Sequence, residues 1–596
     1  MFAPIILLPL VAAIVAIAIF RKPQAAKYLA ITGSLIGLGL TLAVSYGSAN
    51  IAWFSVGSHT ISLSIAVTPL NYLLLFVVML MGPIVMIYSA GYMGTLSEHR
   101  RYYIEMLSFQ AAMATFAISG SFITLFIAWE FLSLTSYLLI GFWHSRERAN
   151  RAARKALTII FIGDLALLAS IVIFWNIFGT LSFVQIIASV SSHVSADLTA
   201  GMLLLLLAIF TKSAQFPFHE WLIDAMERPT PVSAYLHSST MVKAGVFAAI
   251  LLYPLFSSTG VSGIMLVFGI VTAIISTLAA SREYHVKKVI AYSTIQELSI
   301  MLVAVASGAI MAAIYFFFAQ SFYKALLFFT SGVEMESTDK EYLNEISGLR
   351  ENRLVYLSTI FGVVSLAGFI PFSGFFANEG ISISLLPNLA VYAVISGISL
   401  LTSFYIFRWV SYGAKRSKNA YVSGNYRGQP KSMVYPMVLL AALTLVSSAF
   451  VIYMGGFLNY GGYLAYLYIP GSLPSGIADG IVFLILISIG AVLGYEVYYK
   501  NRIKMSASRL DPIIYTNPII SWGYLAVAAI AYAAAEGISA FDTYLGYLLD
   551  RIGRVTVQSG YLVRRASVGD INSYAAMFII GVLALFALFY YLVILQ

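Results

Sequence analysis

The chain has 596 residues, 60% hydrophobic and 10% charged, with a mean hydropathy of +0.89 and a formal net charge of +9. A soluble domain carries roughly 25% charged residues, so a chain this apolar cannot cover its own surface with polar groups, and lipid is part of its solvent. It has no cysteine, which excludes disulfides, thiolate metal sites, iron–sulfur ligation and thiol nucleophiles within this polypeptide.

Apolar segments fall near 3–20, 28–46, 69–91, 103–119, 121–141, 156–178, 200–216, 231–255, 261–280, 287–306, 308–333, 354–371, 374–390, 391–411, 433–455, 476–498 and 575–594. Some are halves of interrupted helices, and the pattern predicts an all-α polytopic membrane protein with about 16 spans, each needing about 20 residues. The first stretch, Ile5–Phe20, lacks a basic n-region and leads straight into a second span, so it reads as a retained helix and not as a signal peptide.

Loop charge sets an orientation. The connection 21–27 carries Arg21, Lys22 and Lys27, and 92–102 carries Arg100 and Arg101. The connection 142–155 carries Arg146, Arg148, Arg151, Arg154 and Lys155, and 412–431 and 499–509 are also basic. The alternate connections 47–68, 179–199 and 456–475 contain no Lys or Arg. The basic group is therefore expected in the cytoplasm and the N-terminus outside. The net positive charge follows from the same asymmetry. No basic stripe interleaved with aromatics occurs, so nucleic acid is not an expected partner.

The stretch 511–570 breaks the pattern. It opens at Asp511 and Pro512, passes Pro518, and mixes apolar residues with Glu536, Asp542, Asp550, Arg551, Arg554, Arg564 and Arg565. As a continuous helix from Pro518 to Ala566 it would reach about 70 Å at 1.5 Å per residue. It reads as a lateral amphipathic helix on the cytoplasmic membrane surface, followed by an anchor over 571–596. An interfacial loop with one short span is the alternative.

Ionisable groups at membrane depth are expensive and mark functional candidates. Glu130 sits midway along 121–141, Asp164 lies in the next segment, and Lys212 falls late in 200–216. His237 and Lys243 lie in 231–255, Lys324 in 308–333 and Glu379 in 374–390. Each alone would suit a structural ion pair or a side chain reaching the headgroups. Seven together, acids and bases mixed, suit a proton relay, because a buried lysine gains or loses its proton as a carboxylate partner moves. Pro217 and the run Arg228-Pro229-Thr230-Pro231 bracket a short segment holding His219, Asp224 and Glu227. Backbone freed by proline at membrane depth is tolerated only inside protein or beside a water-filled cavity; a plain re-entrant loop is the other reading.

The run Thr211-Lys212-Ser213-Ala214-Gln215, with Trp221, Asp224-Ala225-Met226-Glu227, Pro229-Thr230-Pro231-Val232-Ser233-Ala234 and His237-Ser238-Ser239-Thr240-Met241-Val242, closely resembles the signature of the antiporter-like subunits of complex I. Trp129-Glu130, Ser136 to Phe142, Gly163-Asp164, Lys287 to Thr294, Lys324 to Phe328, Gly348-Leu349 and Gly374-Phe375-Phe376 extend the likeness from about Thr68 to Glu379. The C-terminal part resembles that of the distal subunit, called L or 5, of NADH-quinone oxidoreductase-type complexes.

The resemblance implies two inverted five-helix repeats with interrupted helices, here 103–255 and 256–411, after N-terminal helices over 1–102 and before further helices over 412–510. It implies that Glu130 and Lys212 form the acid–lysine pair of the first half-channel, that Lys324 is the central relay, and that Asp164 and His237 support them. Lys243 is an additional base that some relatives share. It implies no cofactor in this chain, partners among adjacent membrane-arm subunits, and a multi-pass place in the plasma membrane. The driving redox chemistry would reside in other subunits.

Some positions depart from the family. Phe316 and Gln320 stand where two histidines are common, His285 where an acid is usual, and Asn378-Glu379 where lysine and aspartate are common. Glu379 is assigned the terminal role. A multisubunit sodium/proton antiporter is the principal alternative. An inorganic-carbon uptake partner and a structural clamp with a dead relay are the others.

Overall fold

The computed structural model describes residues 3–20, 23–56, 59–94, 99–415, 420–458 and 477–499, together with Tyr547, Arg551 and Arg554. The chain divides into two units, Met1–Ile51 with Leu63–Ile503 and Ala52–Ser62 with Lys504–Gln596. All the side chains discussed below as a site belong to the first.

Helices α1 (Leu7–Phe20) and α2 (Pro23–Leu42) precede a two-stranded hairpin, β1 (Gly47–Val56) and β2 (His59–Val67). Then follow α3 (Pro69–Tyr92), α4 (His99–Ala117), α5 (Phe122–Ile140), α6 (Glu147–Phe178), α7 (Phe183–Ser189) and α8 (Ala196–Lys212). The short helices α9 (Glu220–Asp224), α10 (Thr230–Ser238), α11 (Met241–Leu251) and α12 (Tyr253–Thr259) come next. The second half comprises α13 (Ser262–Arg282), α14 (Val286–Ala306), α15 (Ile310–Thr338), α16 (Arg353–Ala367), α17 (Ser373–Ser384) and α18 (Leu389–Gly413). It is followed by α19 (Ala420–Arg427), α20 (Lys431–Leu458) and α21 (Ile477–Gly494).

Side-chain caps place several of these boundaries. Ser121 accepts from Thr124 N, Ser195 from Leu198 N and Asn352 from Leu354 N, each satisfying a donor the helix itself cannot. Thr68 caps α3 with Pro69 in the first turn. Gly179 ends α6 in the left-handed region, φ 62°.

Among the described residues, ten helices are long and apolar enough to cross a membrane, or eleven if the bent α10–α12 pair counts as one span. The expected 16 exceeds this because several apolar segments are interrupted. The stretch 374–390 yields only the 12 residues of α17, and 354–371 the 15 of α16. The all-α expectation is also corrected at 47–68. This connection without Lys or Arg forms a hairpin, because 61–67 alternates apolar and polar at the two-residue period of a strand. Its second strand docks on the α4–α5 turn through Ala66 N to Ile118 O, 2.8 Å, and Gly120 N to Ser64 O, 2.9 Å. The lateral helix expected over 511–570 and the anchor over 571–596 lie outside the described residues, except that Tyr547, Arg551 and Arg554 are helical and exposed.

Burial separates interior from lipid-facing helices. The most apolar window of α15 is wholly buried, whereas only 33% of that of α20 is. Outer helices instead present Val267, Val446 and Ile452. With no hydrophobic drive between helices in lipid, close packing decides association. At Gly163 an added Cβ would lie 1.8 Å from Thr211 Oγ1, so this glycine lets α6 and α8 meet.

Among the described residues, several helices of the bundle are broken. Helix α8 stops at Lys212 and is followed by Ala214 at φ 51° and a cis Phe216–Pro217 bond. Helix α16 stops before Gly368, φ 85°, and a cis Ile370–Pro371 bond precedes α17. Helices α10 and α11 part at Ser239–Thr240. The freed carbonyls find donors inside the protein, as such backbone must at membrane depth. Trp221 Nε1 donates to Thr211 O at 2.9 Å, Ser213 Oγ to Val242 O at 2.9 Å, and Thr240 Oγ1 to Tyr235 O at 2.7 Å.

Candidate functional site

The break after α8 leaves Lys212 at a helix end, pointing between α5 and α6. Its Nζ lies 3.6 Å from Asp164 Oδ1 and donates to Ser133 Oγ at 2.6 Å and Trp129 O at 3.4 Å. The ammonium also sits 4.7 Å from the centre of the Trp129 ring, a cation–π contact. Asp164 in turn accepts from Trp129 Nε1 at 2.6 Å and Ser133 Oγ at 2.8 Å. Lys212 and Asp164 are both buried, so each charge is compensated by the other and by hydrogen bonds, the condition for holding ions out of water.

Glu130 was the expected partner of Lys212, but the structure gives the ion pair to Asp164. Glu130 lies on α5 beside Trp129, only partly buried, with Asp164 and Lys212 as its charged neighbours. Successive residues on a helix point about 100° apart, so Trp129 faces the pair and Glu130 turns toward its flank.

A second buried pair lies between α14 and α15. Lys324 Nζ is 3.0 Å from Glu297 Oε2 and donates to Ser293 Oγ. Glu297 also accepts from Gln320 Nε2 at 2.8 Å and Tyr323 OH at 3.0 Å. Sequence reasoning missed Glu297, although the signal was present: it is an acid in the middle of an apolar span, the feature that singled out Glu130. The sequence places Gln320 in a position where histidine is common; here its amide serves that carboxylate.

Lys243 stands beside the second pair. It is fully buried on α11, donates to Ser321 Oγ at 2.7 Å and to Phe317 O on α15, and counts Glu297 and Lys324 among its charged neighbours. His237, on α10, stacks on Phe328 with ring centroids 5.3 Å apart, and its Nε2 accepts from Arg228 Nη2. Arg228 is itself buried, and Lys287 donates to its carbonyl at 2.9 Å. His237 thus belongs to a basic cluster beside the second pair.

Glu379, on α17, is partly buried and packs toward α21, where a Cβ on Gly480 would lie 2.4 Å from its Oε1. Asn378 donates to Gly374 O within its own helix. Phe316 is fully buried. A further acid that the sequence reading passed over, Glu334, is fully buried on α15, and both its oxygens lie 2.7 Å from Trp409 Nε1. Among the described residues no group of three or more His, Cys, Asp or Glu side chains is placed to hold a metal. What the arrangement offers chemically is a set of buried lysines, each within reach of hydroxyls or a carboxylate.

Residues 119–404 match the family described as NADH:quinone oxidoreductase/Mrp antiporter, TM, and 53–103 match NADH-ubiquinone oxidoreductase (complex I), chain 5 N-terminus. The chain is 32% identical to NADH-quinone oxidoreductase subunit L of Mycobacterium tuberculosis over 470 residues, 75% of this chain and 72% of that one. It is 34% identical to NAD(P)H-quinone oxidoreductase subunit 5 of the Paulinella chromatophora chromatophore over 418 residues. That alignment covers 65% of this chain and 62% of the relative, so the chain spans somewhat under two thirds of that relative's length. Among solved structures, the Mrp complex from Dietzia sp. superposes with a TM-score of 0.71 at 25% identity, covering 98% of this chain and 62% of that chain.

Proposed function

The chain belongs to the family of antiporter-like membrane subunits that includes subunit L, or 5, of complex I, and from that premise we propose that it moves protons across a bilayer under the control of redox chemistry in neighbouring subunits. The observation that carries this reading is the buried Asp164–Lys212 pair, closed by Trp129 and Ser133 at a helix break. An ammonium out of water is stable beside a carboxylate and costly without one. A small shift of α8 against α6 then loads or unloads Lys212. Lys243 and Lys324 continue the line of exchangeable groups toward α15. Glu130 stands at the flank of the first pair as the supplying acid, His237 beside the second pair, and Glu379 at the terminal position.

The same reading supplies the finer architecture. Two inverted five-helix repeats lie over 103–255 and 256–411, the first interrupted after Lys212 and at Ser239–Thr240, the second after Ala367. Counting the shorter helices α1, α8, α16 and α17 and the segment 575–594 as spans or half-spans brings eleven to about 16. The chain sits in the plasma membrane with its N-terminus outside and its lateral helix on the cytoplasmic side, against adjacent membrane-arm subunits.

A second reading, sodium/proton exchange without redox partners, is favoured by the coverage of nearly this whole chain by a chain of the Mrp complex. One experiment separates the two. The full chain is purified with its native partners and reconstituted into vesicles containing a pH-sensitive dye and a sodium tracer. The relay reading expects proton flux that Lys212→Ala lowers by about 10²-fold or more, the usual worth of one proton-transfer group, with no coupled sodium movement. Wild-type flux in Lys212→Ala rules the relay out, and sodium moving in step with protons selects the exchanger.

A further inference from the structure

Each of the two buried lysine–carboxylate pairs has one hydroxyl donor, and they differ in the second: an indole at Asp164 and an amide at Glu297. Asp164 Oδ1 is held at 2.6 Å by the Trp129 indole N–H, which can only donate. Asp164 Oδ2 takes the hydroxyl of Ser133 at 2.8 Å. Glu297 has partners that work in both directions. Tyr323 OH donates to its Oε1 or accepts from a protonated one. Gln320 donates through Nε2 to Oε2, while the carbonyl oxygen of the same amide, Gln320 Oε1, is buried without a hydrogen-bond partner. Rotating the amide by half a turn brings that oxygen against Oε2, where it accepts from a carboxyl O–H.

We propose that Glu297 is the proton-exchanging acid of the second pair, and that Gln320 is the positioning residue serving both its charged and its neutral state. This rests on the relay reading above and gives the second half-channel an acid where the sequence shows Phe316 and Gln320. The step moves one proton. The Nζ–H bond of Lys324 breaks, an O–H bond forms on Glu297 Oε2 at the 3.0 Å contact, and the electron pair of the broken bond stays on nitrogen. Both charges of the pair vanish together, and the neighbouring Lys243 keeps Ser321 Oγ and Phe317 O as its acceptors. The neutral amine of Lys324 keeps a partner, since its remaining N–H bonds still donate to Ser293 Oγ, whose own hydrogen goes to Ile290 O. Fully buried surroundings on α14 and α15 make such simultaneous neutralisation favourable, because an uncompensated charge there is what costs most.

The experiment uses the full chain with its native partners in vesicles, with trapped pH dye and an imposed potassium diffusion potential. Glu297→Gln preserves shape and removes the exchangeable proton. It is expected to lower proton flux by about 10²-fold and to abolish an infrared carboxyl band that rises when flux is driven. Glu297→Asp restores part of the flux with a displaced pH profile, and Gln320→Met slows flux while the infrared band persists. Wild-type flux and an unchanged band in Glu297→Gln, with Lys324→Ala inactive, overturn the proposal and leave the relay standing. A Lys324→Ala variant with wild-type flux overturns the relay reading instead. Where Glu297→Gln does not assemble, the Asp variant decides: an unshifted pH profile overturns the proposal, a shifted one upholds it.

Discussion

Lys212 Nζ lies 3.6 Å from Asp164 Oδ1, and the same carboxylate oxygen accepts the Trp129 indole N–H at 2.6 Å. The helix carrying Glu130 therefore serves the pair through its neighbour Trp129, and the acid of the pair comes from α6. Asp164→Asn should accordingly be more damaging than Glu130→Gln. Removing one partner of a buried ion pair costs about 3–5 kcal/mol, whereas Glu130 is only partly buried and stands outside the Asp164–Lys212 contact. Thermal unfolding of the purified assembly and proton flux in vesicles check this. Equal losses in both variants would contradict the assignment of the pair.

Gly163 precedes Asp164 and Thr211 precedes Lys212, and these two meet where the helices cross. A side chain at Gly163 collides with Thr211, so Gly163→Val should push α6 from α8 and lengthen the Asp164–Lys212 contact. Overpacking of this kind costs about 1–3 kcal/mol. The expected result is a lower unfolding temperature with a larger proportional loss of proton flux. Thr211→Ala in the same chain should recover part of both.

Glu334 is fully buried, and Trp409 Nε1 serves both its oxygens. Trp409→Phe strips the carboxyl of that donor, at a cost of about 1–3 kcal/mol for a buried polar group left unsatisfied. Glu334→Gln keeps a carbonyl acceptor for the indole and should be tolerated in unfolding measurements. If Glu334→Gln instead halts proton flux while the fold survives, Glu334 is a further exchange site and not a structural acceptor.

His285 lies at the start of α14, outside the span, with its Nε2 3.4 Å from Glu341 Oε2. Burial and the nearby Lys287 and Lys288 push its imidazole below the usual range, against the opposing pull of Glu341 and Glu283. The unfolded chain then binds a proton that the folded one resists. The resulting stability is fully present above the unfolded value of about 6.5 and is lost as pH falls through the lower folded value. The pairing of 284–286 with 341–343, through Val286 N to Glu341 O and Leu343 N to Tyr284 O, should loosen on acidification. Limited proteolysis of the 339–348 loop should accelerate as pH falls below about 6.5, and His285→Gln should flatten the response.

Composition and periodicity by themselves determined that this chain lives in lipid, and singled out Glu130, Asp164, Lys212, His237, Lys243, Lys324 and Glu379 as ionisable residues in expensive places. Those are one-dimensional properties: hydropathy summed along a helix, and a charge within it. Only the tertiary structure decided which acid meets which lysine, because pairing depends on which face of a helix looks inward and how closely two helices approach. Trp129 and Glu130 are neighbours in the chain and point in different directions, and Gly163 sets the distance across which Asp164 reaches Lys212. Glu297 carried the same sequence signal as the others, yet its partnership with Lys324, Gln320 and Tyr323 exists only where α14 lies against α15. The hairpin at 47–67 was legible as alternation but was overshadowed by the helical pattern around it. Strand pairing is a contact between two segments, and hydropathy along one segment does not contain it.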